Sequence, residues 1–340
     1  MSENVKTYSK ICSKIGFAML IFYAFFTLSA FGVAFFSAMS EGFVGKLTSD
    51  IIYEVLAAIA YFLSFSGAAF ILCKMLKDFP TSRPIYKSFK PNRWFWLSIV
   101  AVIAVNFTIA YLNSLMVSSL SPAFAPNIDS GASDVQGKPM SEVIIFFVLS
   151  IISTAVVPAI CEEYLFRGAI LTNLLPFGKT TAIIGSSFLF GLMHQNPLQI
   201  LYTTLMGIVI GCFYVKTRSI WACMIIHFAN NMVTVLEEYL PILTRLEWIG
   251  ALLDLLILVV GAIALLLIIF KKDKEPTPEE NGSFGVIYDS GMDYEEYELG
   301  LTCTQKVRRF FSPAMIIYTA ICIFLMIKAL LSFLGLGMSL

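Results

Sequence analysis

The chain alternates long apolar runs with short polar turns. A helix that crosses a bilayer core needs about 20 predominantly apolar residues. Nine stretches read that way: 15–39, 50–73, 94–118, 142–165, 180–195, 198–216, 219–240, 249–270 and 312–338. The pattern predicts an all-α, polytopic membrane helical bundle with eight core transmembrane helices and a ninth at the C-terminus. It divides into an N-terminal three-helix membrane region (1–141), a membrane core (142–270), an acidic cytoplasmic linker (271–311) and a C-terminal transmembrane helix (312–340). The first apolar run is too long for a signal-peptide core and reads as a retained helix.

Composition agrees. Of 340 residues, 58% are hydrophobic and 14% charged, against about 25% charged in soluble domains. Lys+Arg and Asp+Glu balance at 23 each, which leaves no basic surface for nucleic acid. The seven cysteines are scattered with no CxxC pair, against a disulfide framework or thiolate zinc site. Basic residues cluster at Lys6, Lys10 and Lys14, between Lys74 and Arg93, at Lys216 and Arg218, and at Lys271, Lys272 and Lys274. With alternating spans all of these fall on one side, which the positive-inside rule assigns to the cytoplasm. The expected location is therefore an integral, multi-pass protein of the plasma membrane with a cytoplasmic N-terminus. Residues 271–311 carry a run of acids among tyrosines and read as a solvated linker.

Charge inside the apolar runs is costly, so it marks function by default. Cys161-Glu162-Glu163-Tyr164-Leu165-Phe166-Arg167 ends the fourth run. On a helix, i and i+4 share a face, so Glu163 can pair with Arg167 in the favourable order. Glu162 points elsewhere and is free to act as a general base or acid. Both histidines of the chain follow in apolar segments. Phe190 and His194 share one face, and His227 and Asn231 another. At 1.5 Å per residue, Glu162 and His194 come within roughly 5 Å of the same depth, whereas His227 is offset by roughly 10 Å. Gly207 and Gly211, in small-xxx-small spacing, permit close helix contact. The tetrapeptide Glu-Glu-Tyr-Leu recurs at 237–240 without a matching arginine. That copy lies near a helix end, and Glu237 and Glu238 read as solvated.

In order, Glu162-Glu163-xxx-Arg167, Phe190-xxx-His194 and His227-xxx-Asn231 resemble the EExxxR, FxxxH and HxxxN motifs of the CPBP family. That family includes CAAX-prenyl endopeptidases and bacteriocin-processing or immunity-linked membrane proteases. The resemblance spans about 155–235, roughly a quarter of the chain. It implies an intramembrane glutamic endopeptidase without a cofactor, acting on a peptide or protein substrate in or at the lipid bilayer, prenylated or otherwise membrane-associated. Glu162 with His194 would activate water, His227 and Asn231 would stabilise the oxyanion, and Glu163, Arg167 and Phe190 would support them. Other readings stay open. Glu162, His194 and His227 could ligate zinc in a metalloprotease. Cys161 could serve as a nucleophile with a histidine. The chain could also be a non-enzymatic immunity or transport protein.

Overall fold

The computed structural model describes residues 3–77, 90–120, 135, 137–197, 199–270 and 301–333. All regular structure among them is helical. The N-terminal region comprises α1 (Glu3–Val44), α2 (Lys46–Met75) and α3 (Arg93–Leu120). The core contains α4 (Met140–Phe177), α5 (Lys179–Met193), α6 (Ile200–Thr217), α7 (Ile220–Thr244) and α8 (Trp248–Ile269). The short α9 (Cys303–Phe310) and then α10 (Pro313–Phe333) follow. Eight of these helices are long and apolar enough to cross a membrane, and the protein is a polytopic all-α membrane protein.

The α1–α2 hairpin turns at Gly45, whose φ of +80° suits a residue without a Cβ. The Lys14 ammonium donates to the Met75 carbonyl and ties the start of α1 to the end of α2. A buried core runs from Tyr8, Ile15 and Phe65 to Leu165, Leu189, Ile210 and Ile226. Large apolar side chains such as Phe35, Leu255 and Phe324 face outward, as lipid contact requires. Backbone polar groups in such an environment must be satisfied within the helices themselves, which accounts for the all-helical architecture.

Three boundaries differ from the hydropathy reading. The fourth span does not stop near 165 but continues to Phe177. Glu162, Glu163 and Arg167 interrupt the apolar pattern, yet all are buried inside protein, so the helix carries on through them. The fifth apolar run forms only a 15-residue helix, α5, shorter than the eight long ones. It begins after Gly178, at φ +113°, and ends before Gln195, at φ +51°. The last part of the predicted linker is α9, closed by a capping box between Thr302 and Gln305. Residues 271–300, with the acidic tyrosine-rich run, lie outside the described residues.

Close helix contact is made where small residues allow it. A Cβ on Gly207 would stand 3.0 Å from the Ser187 Cβ, and one on Gly211 would stand 3.3 Å from Ile183. The paired glycines on α6 thus seat it directly against α5. Gly16 on α1 plays the same part toward the backbone of α10 at Met315.

Candidate active site

Two π-helical stretches interrupt α4, at Ile151–Val156 and Tyr164–Leu171, and bracket the segment that carries Glu162 and Glu163. Such wide turns recur at functional sites. Pro158, within that segment, has no N–H to offer the Thr154 carbonyl. Asn231 on α7 fills the place, its Nδ2 donating to Thr154 O at 3.0 Å. A backbone irregularity in α4 therefore fixes the HxxxN helix beside it.

Glu163 is fully buried, and its Oε1 accepts from Arg167 Nη1 at 2.7 Å and from His227 Nδ1 at 2.7 Å. Arg167, equally buried, also donates from Nη2 to the Gly207 carbonyl at 3.1 Å and lies 4.6 Å from the Phe190 ring centroid. One carboxylate, one guanidinium and one imidazole thus lock α4, α6 and α7 together. The roughly 10 Å offset expected for His227 is absent. His227 reaches Glu163 directly, its Nδ1 2.7 Å from the carboxylate. Its partner is Glu163, not the Glu162 that sequence geometry pairs with the histidines.

Glu162 is 3% exposed. One oxygen accepts a hydrogen bond from the Tyr61 hydroxyl on α2, while Oε2 is buried with no hydrogen-bond partner among the described residues. Glu162, His194, His227 and Asn231 all line one cavity of about 530 Å³, together with Tyr61, Phe190, Asn106, Asn230 and Glu237. His194 donates from Nδ1 to the Phe190 carbonyl at 2.9 Å. A carbonyl can only accept, so Nδ1 carries a proton, and in the neutral imidazole Nε2 keeps its lone pair. Phe190 meets both imidazoles edge-on, at 5.2 Å from His194 and 5.8 Å from His227. Asn231 is oriented twice, since Asn230 Nδ2 donates to its Oδ1 at 3.2 Å.

Among the described residues, no three His, Cys, Asp or Glu side chains are arranged to hold a metal ion. Cys161 is buried in the hydrophobic core and is not part of the cavity lining. Sequence reasoning missed Tyr61, Asn106 and Asn230, although Asn106 is an amide in an apolar run and Asn230 adjoins Asn231, and it misread Glu237. That residue is half-buried and lines the cavity rather than being solvated.

Residues 144–233 match the family model for type II CAAX prenyl endopeptidase, Rce1-like. The matched segment holds all three motifs. In Bacillus subtilis (strain 168), the "Putative membrane peptidase YdiL" is 31% identical over 102 residues, which is 29% of this chain and 41% of that protein. The chain thus matches about two fifths of the length of this curated relative. No solved structure matches the chain. Both similarities support the CPBP resemblance. Tyr61 and Glu237 fall outside the matched segment.

Proposed function

We propose that the chain is an intramembrane endopeptidase that cleaves a peptide bond in a membrane-associated protein or peptide with a glutamate-activated water. The observation that carries this reading is the state of Glu162. One carboxylate oxygen is held by Tyr61, and the other is buried without a partner in a wall shared with both histidines. A carboxylate held in this way is suited to take a proton from water, and a positioned base typically contributes about 10²–10⁴-fold to rate.

The remaining roles follow from the hydrogen bonds. In its neutral form His194, with Nδ1 donating to the Phe190 carbonyl, presents an Nε2 that can accept from the same water. His227, oriented by Glu163 through Nδ1, donates from Nε2 when protonated, toward the oxygen of the tetrahedral intermediate. Asn231 keeps one amide hydrogen beyond its bond to Thr154 and contributes it to the same oxygen. Donors fixed before reaction are each worth about 3 kcal/mol in a dry site. Glu163 and Arg167 hold the frame. The basic turns support a cytoplasmic N-terminus, and we take the membrane to be the plasma membrane.

The test is cleavage-site proteomics on membranes that hold wild type or Glu162→Gln. New protein termini are expected with wild type and not with the variant. Identical termini from both would overturn the glutamate mechanism. A chelator is expected to leave cleavage intact. Loss restored by zinc would shift the reading to a metal-bound water held by Glu162, His194 and His227.

A further inference from the structure

Glu237 has no part in the hydrolysis described above, yet it lines the same cavity as Glu162. It lies on α7 beyond His227 and Asn231. At 1.5 Å rise per residue it stands ~15 Å from His227 and ~9 Å from Asn231 along the helix. Its Oε1 is buried with no hydrogen-bond partner among the described residues. Asp254 on α8 is close enough for its charge to act on Glu237. Nearer the catalytic end, Asn106 of α3 lines the cavity too. Its Nδ2 donates to Asn230 Oδ1 at 2.9 Å, and its own Oδ1 is buried without a partner.

Two buried acceptors on one cavity wall, the outer one acidic, call for an occupant that brings hydrogen-bond donors and positive charge. Lysine and arginine side chains carry donors only. We infer that Asn106 and Glu237 form a substrate subsite that selects a lysine or arginine side chain away from the scissile bond. Asn106 Oδ1 accepts a backbone N–H of the passing chain, and Glu237 receives the cation. An extended peptide advances about 3.3 Å per residue, so the basic residue sits roughly two to five positions from the cleaved bond, depending on the reach of its side chain. This inference rests on the endopeptidase reading for the direction in which the substrate lies, but its test does not require cleavage.

The experiment uses the full chain as Glu162→Gln, purified into lipid nanodiscs. The probes are fluorescent, lipid-anchored apolar peptides, identical except at one position that carries Lys, Gln or Glu. That position is stepped along the peptide, and binding is read by anisotropy. At one or two steps the Lys peptide is expected to bind on the order of tenfold more tightly than the Gln peptide. The ratio is expected to collapse toward one when Glu237→Gln is added. With Glu237→Lys it is expected to invert in favour of the Glu peptide, an outcome that also shows the variant to be folded. Equal binding of Lys and Gln peptides at every step would overturn the subsite. So would a Lys preference that survives Glu237→Gln in protein that still elutes as a single species. Failure of wild type to hydrolyse any of these peptides would count against the endopeptidase reading for them, while the binding ratio still decides the subsite.

Discussion

The tetrapeptide Glu-Glu-Tyr-Leu occurs twice in this chain, at 162–165 and at 237–240, and the two copies have different fates. In the first, both carboxylates are buried and each is held through one oxygen, while the Oε2 of each has no partner among the described residues. Glu163 is shared between Arg167 and His227, and Glu162 is bonded to Tyr61. In the second, both acids are half-buried, and Glu237 Oε1 has no partner among the described residues. Both copies nonetheless send their first glutamate to the same cavity. The difference lies in what the neighbouring helices bring. An arginine one turn on, a histidine from α7 and a tyrosine from α2 make a site of the first copy. A glutamate pair by itself specifies very little.

The sharpest way to break the contrast is to remove the acid itself. Glu162→Gln keeps shape and the Tyr61 contact but cannot take a proton. Turnover of a substrate found by proteomics is expected to fall about 10²–10⁴-fold with the protein still folded. A fall of similar size in Glu237→Gln would mean that the two copies are catalytically alike. Next comes Arg167→Ala, which leaves Glu163 buried beside His227 without its guanidinium. Breaking a buried pair from one side costs about 3–5 kcal/mol, so loss of folded protein on size-exclusion and a lower unfolding midpoint are expected. A folded Arg167→Ala protein of near wild-type stability would show that His227 alone can satisfy Glu163.

Tyr61→Phe probes the contact that distinguishes Glu162 from Glu237. The hydroxyl bonded to a carboxylate is worth about 1.5–3 kcal/mol, and its loss frees the side chain to rotate. Turnover is expected to drop roughly tenfold or more with little change in substrate binding. A pH–rate profile that shifts in Tyr61→Phe, but not in a variant of a distant packing tyrosine, would identify Tyr61 as a positioning residue rather than a filler. An unchanged rate and profile would leave Glu162 positioned by its burial alone.

Much of this site is legible because helical spacing is reliable over one turn. The Glu163–Arg167 pair and the shared face of Phe190 and His194 follow from i,i+4 alone, and both appear in the structure. What crosses between helices is less readable. Tyr61 lies about 100 residues before its partner, and no i,i+4 spacing links the two. The bond between His227 and Glu163 crosses between α7 and α4, and hydropathy reveals neither it nor the wide turns of α4. The same blindness shortened α4 on paper, because a buried charge and an exposed charge look alike in a sequence. For Glu237 the error ran the other way: nearness to a helix end suggested water where the fold supplies a cavity.

The smallest effect separates the two tyrosines that follow the paired acids. Tyr239 in the second copy is 2% exposed, packs at a tilt against Phe147 with ring centroids 5.5 Å apart and shares a hydrogen bond with Ser150 Oγ at 2.9 Å. Its ring fills a satellite cluster with Val143, Phe146 and Val235, so the second copy serves to pack α7 onto α4 while its first glutamate faces the cavity. Tyr239→Phe keeps the ring and removes only the hydroxyl, which leaves Ser150 to find another partner. The expected cost is about 1 kcal/mol, read as a small fall in unfolding midpoint with turnover per folded molecule unchanged. A loss of turnover out of proportion to stability would instead tie the α4–α7 seam to the catalytic end. The two stand some distance apart on α7: Tyr239 lies ~18 Å beyond His227 along the helix axis. Besides α7 itself, the stretch of α4 from Ser150, bonded to Tyr239, to Thr154, bonded to Asn231, offers a route for such a coupling.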